Sequence, residues 1–209
     1  MVFEQIRTGG DRNFAYLIGD RESGQAAVID PAFDPDMVLA RAAEQGLEVK
    51  YLINTHGHYD HTDGNEAVLA RTGAKLIAGE IAEGKEVVLG GVKITFLHTP
   101  GHTMDSICVL AQEEGAPAKL VTGDTLFVGK VGGTDLGDNA RREYDSLHQK
   151  LMVLPDDTEV WPGHDYGVAP SSTIGNEKGT NPFLLRETFE EFVDLKRNWA
   201  AYKKEHGIK

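Results

Sequence analysis

Short apolar runs, cut at regular intervals by glycine, proline and acidic residues, cover most of this chain. Phe14 to Ile18 and Ala26 to Ile29 predict two strands joined by a turn over Asp20 to Gly24. Val49 to Ile53 is a further apolar run, and Lys75 to Ala78, Glu86 to Leu89, Val92 to Leu97, Ser106 to Leu110 and Lys119 to Val121 are of strand length. Helical spacing appears between them. Asp34-Pro35-Asp36 opens a helix that runs through Glu44 and closes at Gly46. Thr62 or Asp63 caps a second, from Glu66 to Arg71, ended by Gly73. Arg142 to Leu154 puts Tyr144, Leu147, Leu151 and Leu154 on one face. Leu184 to Glu205 carries a stripe of Phe189, Phe192, Val193, Leu195, Trp199 and Tyr202, which reads as core packing. Strands and helices alternate in two halves, a pattern that fits two sheets covered on their outer faces. The length of 209 residues is that of one domain, 1–209.

Several of these apolar runs end in metal-ligand chemistry. Val49 to Ile53 leads into Thr55-His56-Gly57-His58-Tyr59-Asp60-His61. Imidazole and carboxylate are the usual ligands of zinc and related divalent ions. His56 and His58, two apart, do not share a helix face, so the run is expected to be a loop leaving a strand. Such a loop aims His56 and His58 one way and Asp60 and His61 another, which suits two neighbouring ions. Thr99-Pro100-Gly101-His102, Thr122-Gly123-Asp124 and Pro162-Gly163-His164 follow three more apolar runs, and their Gly and Pro allow tight turns at a site. His98, His148 and His206 lack this setting and read as surface or packing residues. Asp30, ending the run Val28-Ile29 before Pro31, is a carboxylate too costly to bury unpaired and is expected to support the histidine loop.

Composition narrows the chemistry. A net charge of -12 disfavours binding to a phosphate backbone, so no nucleic-acid partner is expected. No apolar run is long enough to span a membrane, and Met1 to Gln5 lacks the basic and apolar regions of a signal peptide. The single cysteine, Cys108, allows no internal disulfide and suits a reducing cytoplasm. Lying inside the run Ile107 to Leu110, it is expected to be a buried, inert thiol. There is no G-x-S-x-G elbow, no P-loop and no dinucleotide fingerprint.

The pattern His-x-His-x-Asp-His, then His102, Asp124 and His164, resembles the metallo-β-lactamase superfamily, and the resemblance runs from Asn13 to about Leu184. It implies an α/β (α+β) fold, a four-layer αββα sandwich with the metals between the sheet edges. It also implies that His56, His58 and His102 hold one ion, that Asp60, His61 and His164 hold a second, and that Asp124 bridges them. The cofactors implied are two divalent ions, zinc or else iron or manganese. Water held between two such ions loses its proton near neutral pH and becomes the nucleophile, with Asp60 orienting it.

Two branches are similar. Thr122 to Val128 and Gly163-His164-Asp165-Tyr166 resemble the glyoxalase II-like hydroxyacylglutathione hydrolases, which cleave S-acyl glutathione. Tyr16 to Ser23 and His164-Asp165-Tyr166 resemble the persulfide dioxygenases, which hold one Fe(II) by residues matching His56, His102 and Asp124. The hydrolase reading is the first expectation, and the implied partner is a small-molecule thiol ester or persulfide. A homodimer is compatible with either branch, as is a lactone or phosphodiester substrate with the same metals. Tyr166 and Lys130 are the expected substrate-binding residues. Relatives that use glutathione carry Lys or Arg nine residues after the bridging Asp, whereas this chain has Gly133, and Lys130 is the expected substitute. Alternatively Gly132-Gly133 is there for a positive-φ turn. The segment Ser171 to Lys178, with Asn181-Pro182-Phe183, resembles short bacterial members and is expected to shape the loop beside the second ion.

Overall fold

The computed structural model describes residues 1–79 and 83–208. Strands β1 (Val2–Gly9), β2 (Asn13–Asp20), β3 (Gln25–Ile29), β4 (Glu48–Ile53) and β5 (Lys75–Ile77) form a five-stranded sheet in that order. Its first three strands pair antiparallel and its last three parallel. Helix α1 (Pro35–Glu44), the short turn α2 (Tyr59–Thr62) and α3 (Asn65–Thr72) are interleaved with its last strands. The second sheet is built from β6 (Glu86–Leu89), β7 (Val92–His98), β8 (Ile107–Gln112), β9 (Lys119–Gly123), β12 (Glu159–Pro162) and β13 (Ser172–Thr173), in the order β13-β12-β9-β8-β7-β6. Between β9 and β12 the chain forms a ribbon, β10 (Leu126–Phe127) and β11 (Lys130–Val131), and helix α4 (Asp138–Ser146), which passes into a π-helical turn over Leu147–Leu151. Helices α5 (Ile174–Thr180) and α6 (Phe189–His206) end the fold.

The layering follows from strand alternation. On β2, Phe14, Tyr16 and Ile18 face inward, where they meet Ile94, Phe96, Val109 and Val121 of the other sheet. Ala15 and Leu17 face outward and pack under Val38 and Ala42 of α1 and Val68 of α3. The outer face of the second sheet does the same: Cys108, Leu110, Leu120 and Val160 pack against Ala140 and Phe192 of α4 and α6. The order is helix, sheet, sheet, helix, as expected for the αββα sandwich. Cys108 is buried with its thiol pushed up to about 11 by burial, an inert group.

Several elements depart from expectation. Strand β1 has no counterpart in the predicted set. It is an edge strand that buries only Val2, Ile6 and Thr8, too little for a clear alternation. Helix α3 is capped by Gly64 rather than Thr62 or Asp63, because Tyr59–Thr62 has already coiled into α2. Half of the histidine motif is therefore a helical turn, with His58 as its N-cap, and not wholly a loop. Helix α4 starts at Asp138, before Arg142, since its first turn carries no apolar stripe. Helix α6 starts after Thr188, whose side chain accepts from Glu191 N while the Glu191 carboxylate accepts from Thr188 N. Leu184 is buried but lies outside that helix. The glycine-rich α5 was not expected as a helix. Among the described residues no helix is long and apolar enough to cross a membrane.

Candidate metal centre

The nominated residues all sit where strands run out on one side of the sandwich. β4 delivers His56 and His58, β7 leads to His102, β9 to Asp124 and β12 to His164. Helical turn α2 adds Asp60 and His61. Close approach is built in at Gly163, where a Cβ would lie 2.7 Å from Asp124 Oδ1 and 3.0 Å from His61 Cε1. Any larger residue would press on Asp124 and His61 and displace them.

Donor atoms gather at two ends, His56, His58 and His102 at one and Asp60, His61 and His164 at the other, with His56, His61 and Asp124 grouped between them. In the first, His56 Nε2 lies 3.0 Å from His58 Nδ1, and His102 Nε2 lies 3.1 Å from the same atom. In the second, His61 Nε2 and His164 Nε2 are 3.2 Å apart, and Asp60 Oδ2 is 3.3 Å from His164 Nε2. Asp124 serves both. Its Oδ2 is 3.6 Å from His102 Nε2, while its Oδ1 is 3.5 Å from His61 Nε2 and 3.4 Å from His164 Nε2. Ligands held about 2.0–2.1 Å from a tetrahedral ion are roughly 3.3 Å from one another, so these spacings fit metal cages. Asp124 Oδ1 is buried without a well-aligned hydrogen-bond donor, an orphan that a cation would satisfy.

The far ring nitrogens are fixed by the protein. His56 Nδ1 is 3.1 Å from Thr55 Oγ1, His61 Nδ1 is 3.0 Å from Asp30 Oδ2, His102 Nδ1 is 2.8 Å from the Gly133 carbonyl and His164 Nδ1 is 2.9 Å from the Asp11 carbonyl. A carbonyl or carboxylate at Nδ1 makes that nitrogen the N–H and leaves Nε2 as the free lone pair, the tautomer a metal needs. Asp30 does more. It accepts from the Thr55 backbone N–H at 2.9 Å and from Thr55 Oγ1 at 2.6 Å, and it does so from a left-handed conformation, φ 50°. A non-glycine residue held there stores strain at the site.

Electrostatics separate the rings. Burial, then repulsion from neighbouring imidazoles, drives the His56 pKa down to about 3. Burial lowers His61 as well, but attraction and hydrogen bonding from Asp30 outweigh it and raise that ring to about 9. Burial disfavours the Asp124 carboxylate, yet His164, His61 and His56 hold its pKa well below the ordinary range. A carboxylate so placed is charged at neutral pH and ready to bridge cations.

A cleft of about 370 Å³ opens beside His102 and Asp124, walled by Phe127, Lys130, Tyr166, Lys196 and Trp199. The Tyr166 ring stacks on His164 at 4.4 Å between centroids, with Lys130 Nζ 5.1 Å and the Arg12 guanidinium 4.8 Å from its centre. Its hydroxyl donates to Asp11 Oδ2 at 2.6 Å. Burial, then repulsion from Lys203 and Arg12, lowers the Lys130 pKa. Gly132 and Gly133 do not take positive φ, so the turn explanation for this pair falls. A Cβ on Gly132 would come within 2.0 Å of the Asp124 carbonyl, whereas Gly133 has open space around it. His98, His148 and His206 lie outside the clusters, the last two stacked on Tyr144 and Tyr202. Asn13 was not nominated, though its Nδ2 donates to the Asp60 carbonyl at 2.9 Å and to Oδ2 at 3.2 Å. An asparagine opening a strand gives no hint of this. Lys196 was missed for the same reason, its partners being remote in sequence.

This is a divalent-metal site on an αββα sandwich. The profile of the metallo-beta-lactamase superfamily matches residues 8–85 and 78–164, and the chain belongs to that superfamily. It is 44% identical over 180 residues to a hydroxyacylglutathione hydrolase of Polaromonas sp., a match covering 79% of this chain and 67% of that protein. It is 32% identical over 199 residues to the human mitochondrial persulfide dioxygenase ETHE1, covering 88% of this chain and 76% of that protein. Among solved structures, ETHE1 from Myxococcus xanthus superposes with a TM-score of 0.86 at 37% identity, covering 95% of this chain and 91% of that chain.

Proposed function

We propose that this protein is a dinuclear metal-dependent hydrolase of a thioester, an S-acyl derivative of a small anionic thiol such as glutathione. The observation that carries it is the division of Asp124, with Oδ2 turned to the His102 group and Oδ1 to the pair His61 and His164. Seven ligand residues arranged this way fit two ions with coordination positions left for water, not one closed structural site. His56, His58 and His102 would hold the first ion, Asp60, His61 and His164 the second, and Asp124 would serve both. Bound there, divalent ions supply a Lewis acid and a water of lowered pKa. The chain's own residues do the rest. Asp60, half-buried and steadied by Asn13, has Oδ2 3.3 Å from His164 Nε2, so it would both help to hold the second ion and orient a water toward the acyl carbon. Lys130 and the Tyr166 ring bind the thiol portion in the adjoining cleft, where an ammonium can pair with a carboxylate. A reducing, cytoplasmic setting is supported by the lone, buried Cys108. The absence of a nucleic-acid partner is supported by the net charge of -12.

A second reading, a mononuclear Fe(II) persulfide dioxygenase using His56, His102 and Asp124, is supported by the likeness to ETHE1 along 95% of this chain. His58→Ala separates the two. In the dinuclear hydrolase it removes a ligand and thioester hydrolysis falls by orders of magnitude. In the mononuclear enzyme His58 only supports the site, so oxygen uptake with a glutathione persulfide falls about 10–100-fold and iron is retained. Full thioesterase activity in the variant would overturn the dinuclear assignment.

A further inference from the structure

We propose that Lys196, paired with the buried Glu143, is a positioning residue that locks the loop carrying the Gly133 carbonyl and so sets the tautomer and aim of His102. The inference rests on the reading of His102 as a metal ligand.

Helix α6 sends the Lys196 side chain inward, where it is 7% exposed, to meet a Glu143 carboxylate on α4 that is fully buried. Lys196 Nζ is 2.5 Å from Glu143 Oε2, 2.8 Å from the Gly132 carbonyl and 3.0 Å from Thr134 Oγ1. An ammonium has three N–H donors; two are committed to the loop, and the charge is paired with Glu143, whose carboxylate takes no well-aligned hydrogen bond. Although it lines the cleft, Lys196 is therefore neutralised and held by the protein itself. What its two loop contacts bracket is Gly133, whose carbonyl faces His102 Nδ1 at 2.8 Å. A Cβ built on Gly133 would meet nothing within 4 Å, so no side-chain packing fixes this residue from that side.

The other side of His102 is held from α4. Ser146 on α4 donates to the Pro100 carbonyl at 2.8 Å. The Glu143 backbone comes so near Gly101 that a Cβ there would lie 2.5 Å from Glu143 Cα. The ion pair thus ties α4, which backs residues 100 and 101, to α6, which holds 132 and 134. His102 stands between the two loops. A buried ion pair adds little net stability over an apolar pair of the same shape, so geometric specification is the better reason for one here.

The test uses the metal-free protein labelled with ¹⁵N-histidine at about pH 8, above the ordinary imidazole pKa. Wild type should show His102 as the Nδ1–H tautomer. Lys196→Met strands a buried carboxylate and is liable to misfold, so Lys196→Met with Glu143→Gln removes both charges and keeps a folded control. The folded double variant should show a large Nε2–H population at His102. Its affinity for one of two zinc equivalents, measured against a competing chelator, should fall about 10–100-fold. Lys196→Arg should restore both. A folded double variant with an unchanged His102 tautomer would overturn the proposal, as would a rise in KM alone, which marks a substrate anchor. A changed tautomer with unchanged zinc affinity would support the positioning role and refute His102 as a ligand.

Discussion

Asp30 is a buried carboxylate at the end of an apolar strand, and its hydrogen bonds to Thr55 and its contact with His61 Nδ1 hold the histidine loop in place. Asp30→Asn should lower metal affinity about 10–100-fold by loosening His61. Its second effect is on the metal-free fold. His61, raised to about 9, gives stability that is complete below the ordinary imidazole pKa of about 6.5 and is lost as pH rises through 9. His56, lowered to about 3, acts in the separate window between 3 and 6.5, where stability is lost as pH falls. Metal-free melting temperatures should therefore decline from about pH 6.5 to 9 in wild type and flatten there in Asp30→Asn. An undiminished slope in the variant would mean that Asp30 is not the partner. Gly133 gives the complementary case. Its surroundings are open, so Gly133→Lys should fold normally and lower KM for glutathione thioesters, a gain that shrinks with added salt. An equal response with coenzyme A thioesters would show that glutathione is not the thiol recognised.

At the scale of elements, legibility followed burial. β2 and β3 are covered on both faces, and their apolar runs announced them. β1, on an edge, and α5, with Gly175 and Gly179, carry too little hydrophobic pattern to be seen. Yet α5 matters to the cleft. Glu177, fully buried, accepts from Gly129 N at 2.9 Å and from Asn181 Nδ2 at 2.8 Å, and Asn181 Nδ2 also donates to the Lys130 carbonyl at 3.2 Å. The segment was expected to shape a loop beside the second ion; β13 pairs with β12, the strand that leads to His164, and α5 with Asn181 also reaches the β10–β11 ribbon that carries Lys130. Asn181→Leu should cost about 1–3 kcal/mol, the penalty of leaving buried polar partners unpaired, and should raise KM more than it lowers kcat. Chemical denaturation and steady-state kinetics would check both. A loss confined to kcat would place α5's influence at the metals rather than on substrate binding.

For the whole molecule, two sheets that bury each other's inner faces hold a rim of loops where imidazole and carboxylate groups cluster closely enough to hold divalent ions. The seven nominated ligands converge although they come from residues as far apart as 56 and 164, because each closes a strand or opens a helical turn on the same side. The convergence of these seven residues and the αββα layering were legible in sequence, since both depend on local residue type and periodicity. The struts behind them, Asn13, Glu143 and Lys196, were not, since their meaning lies in contacts across the fold. Cations binding only the folded form stabilise it, by about 2.7 kcal/mol at a hundred times Kd, so chelation should lower the melting temperature by several degrees. A melting temperature indifferent to chelator would argue that the site is not filled in solution. Whether Asp124 serves two ions is tested by metal content per chain after anaerobic purification: two equivalents of divalent metal are expected, and one iron with no second metal would overturn the dinuclear assignment.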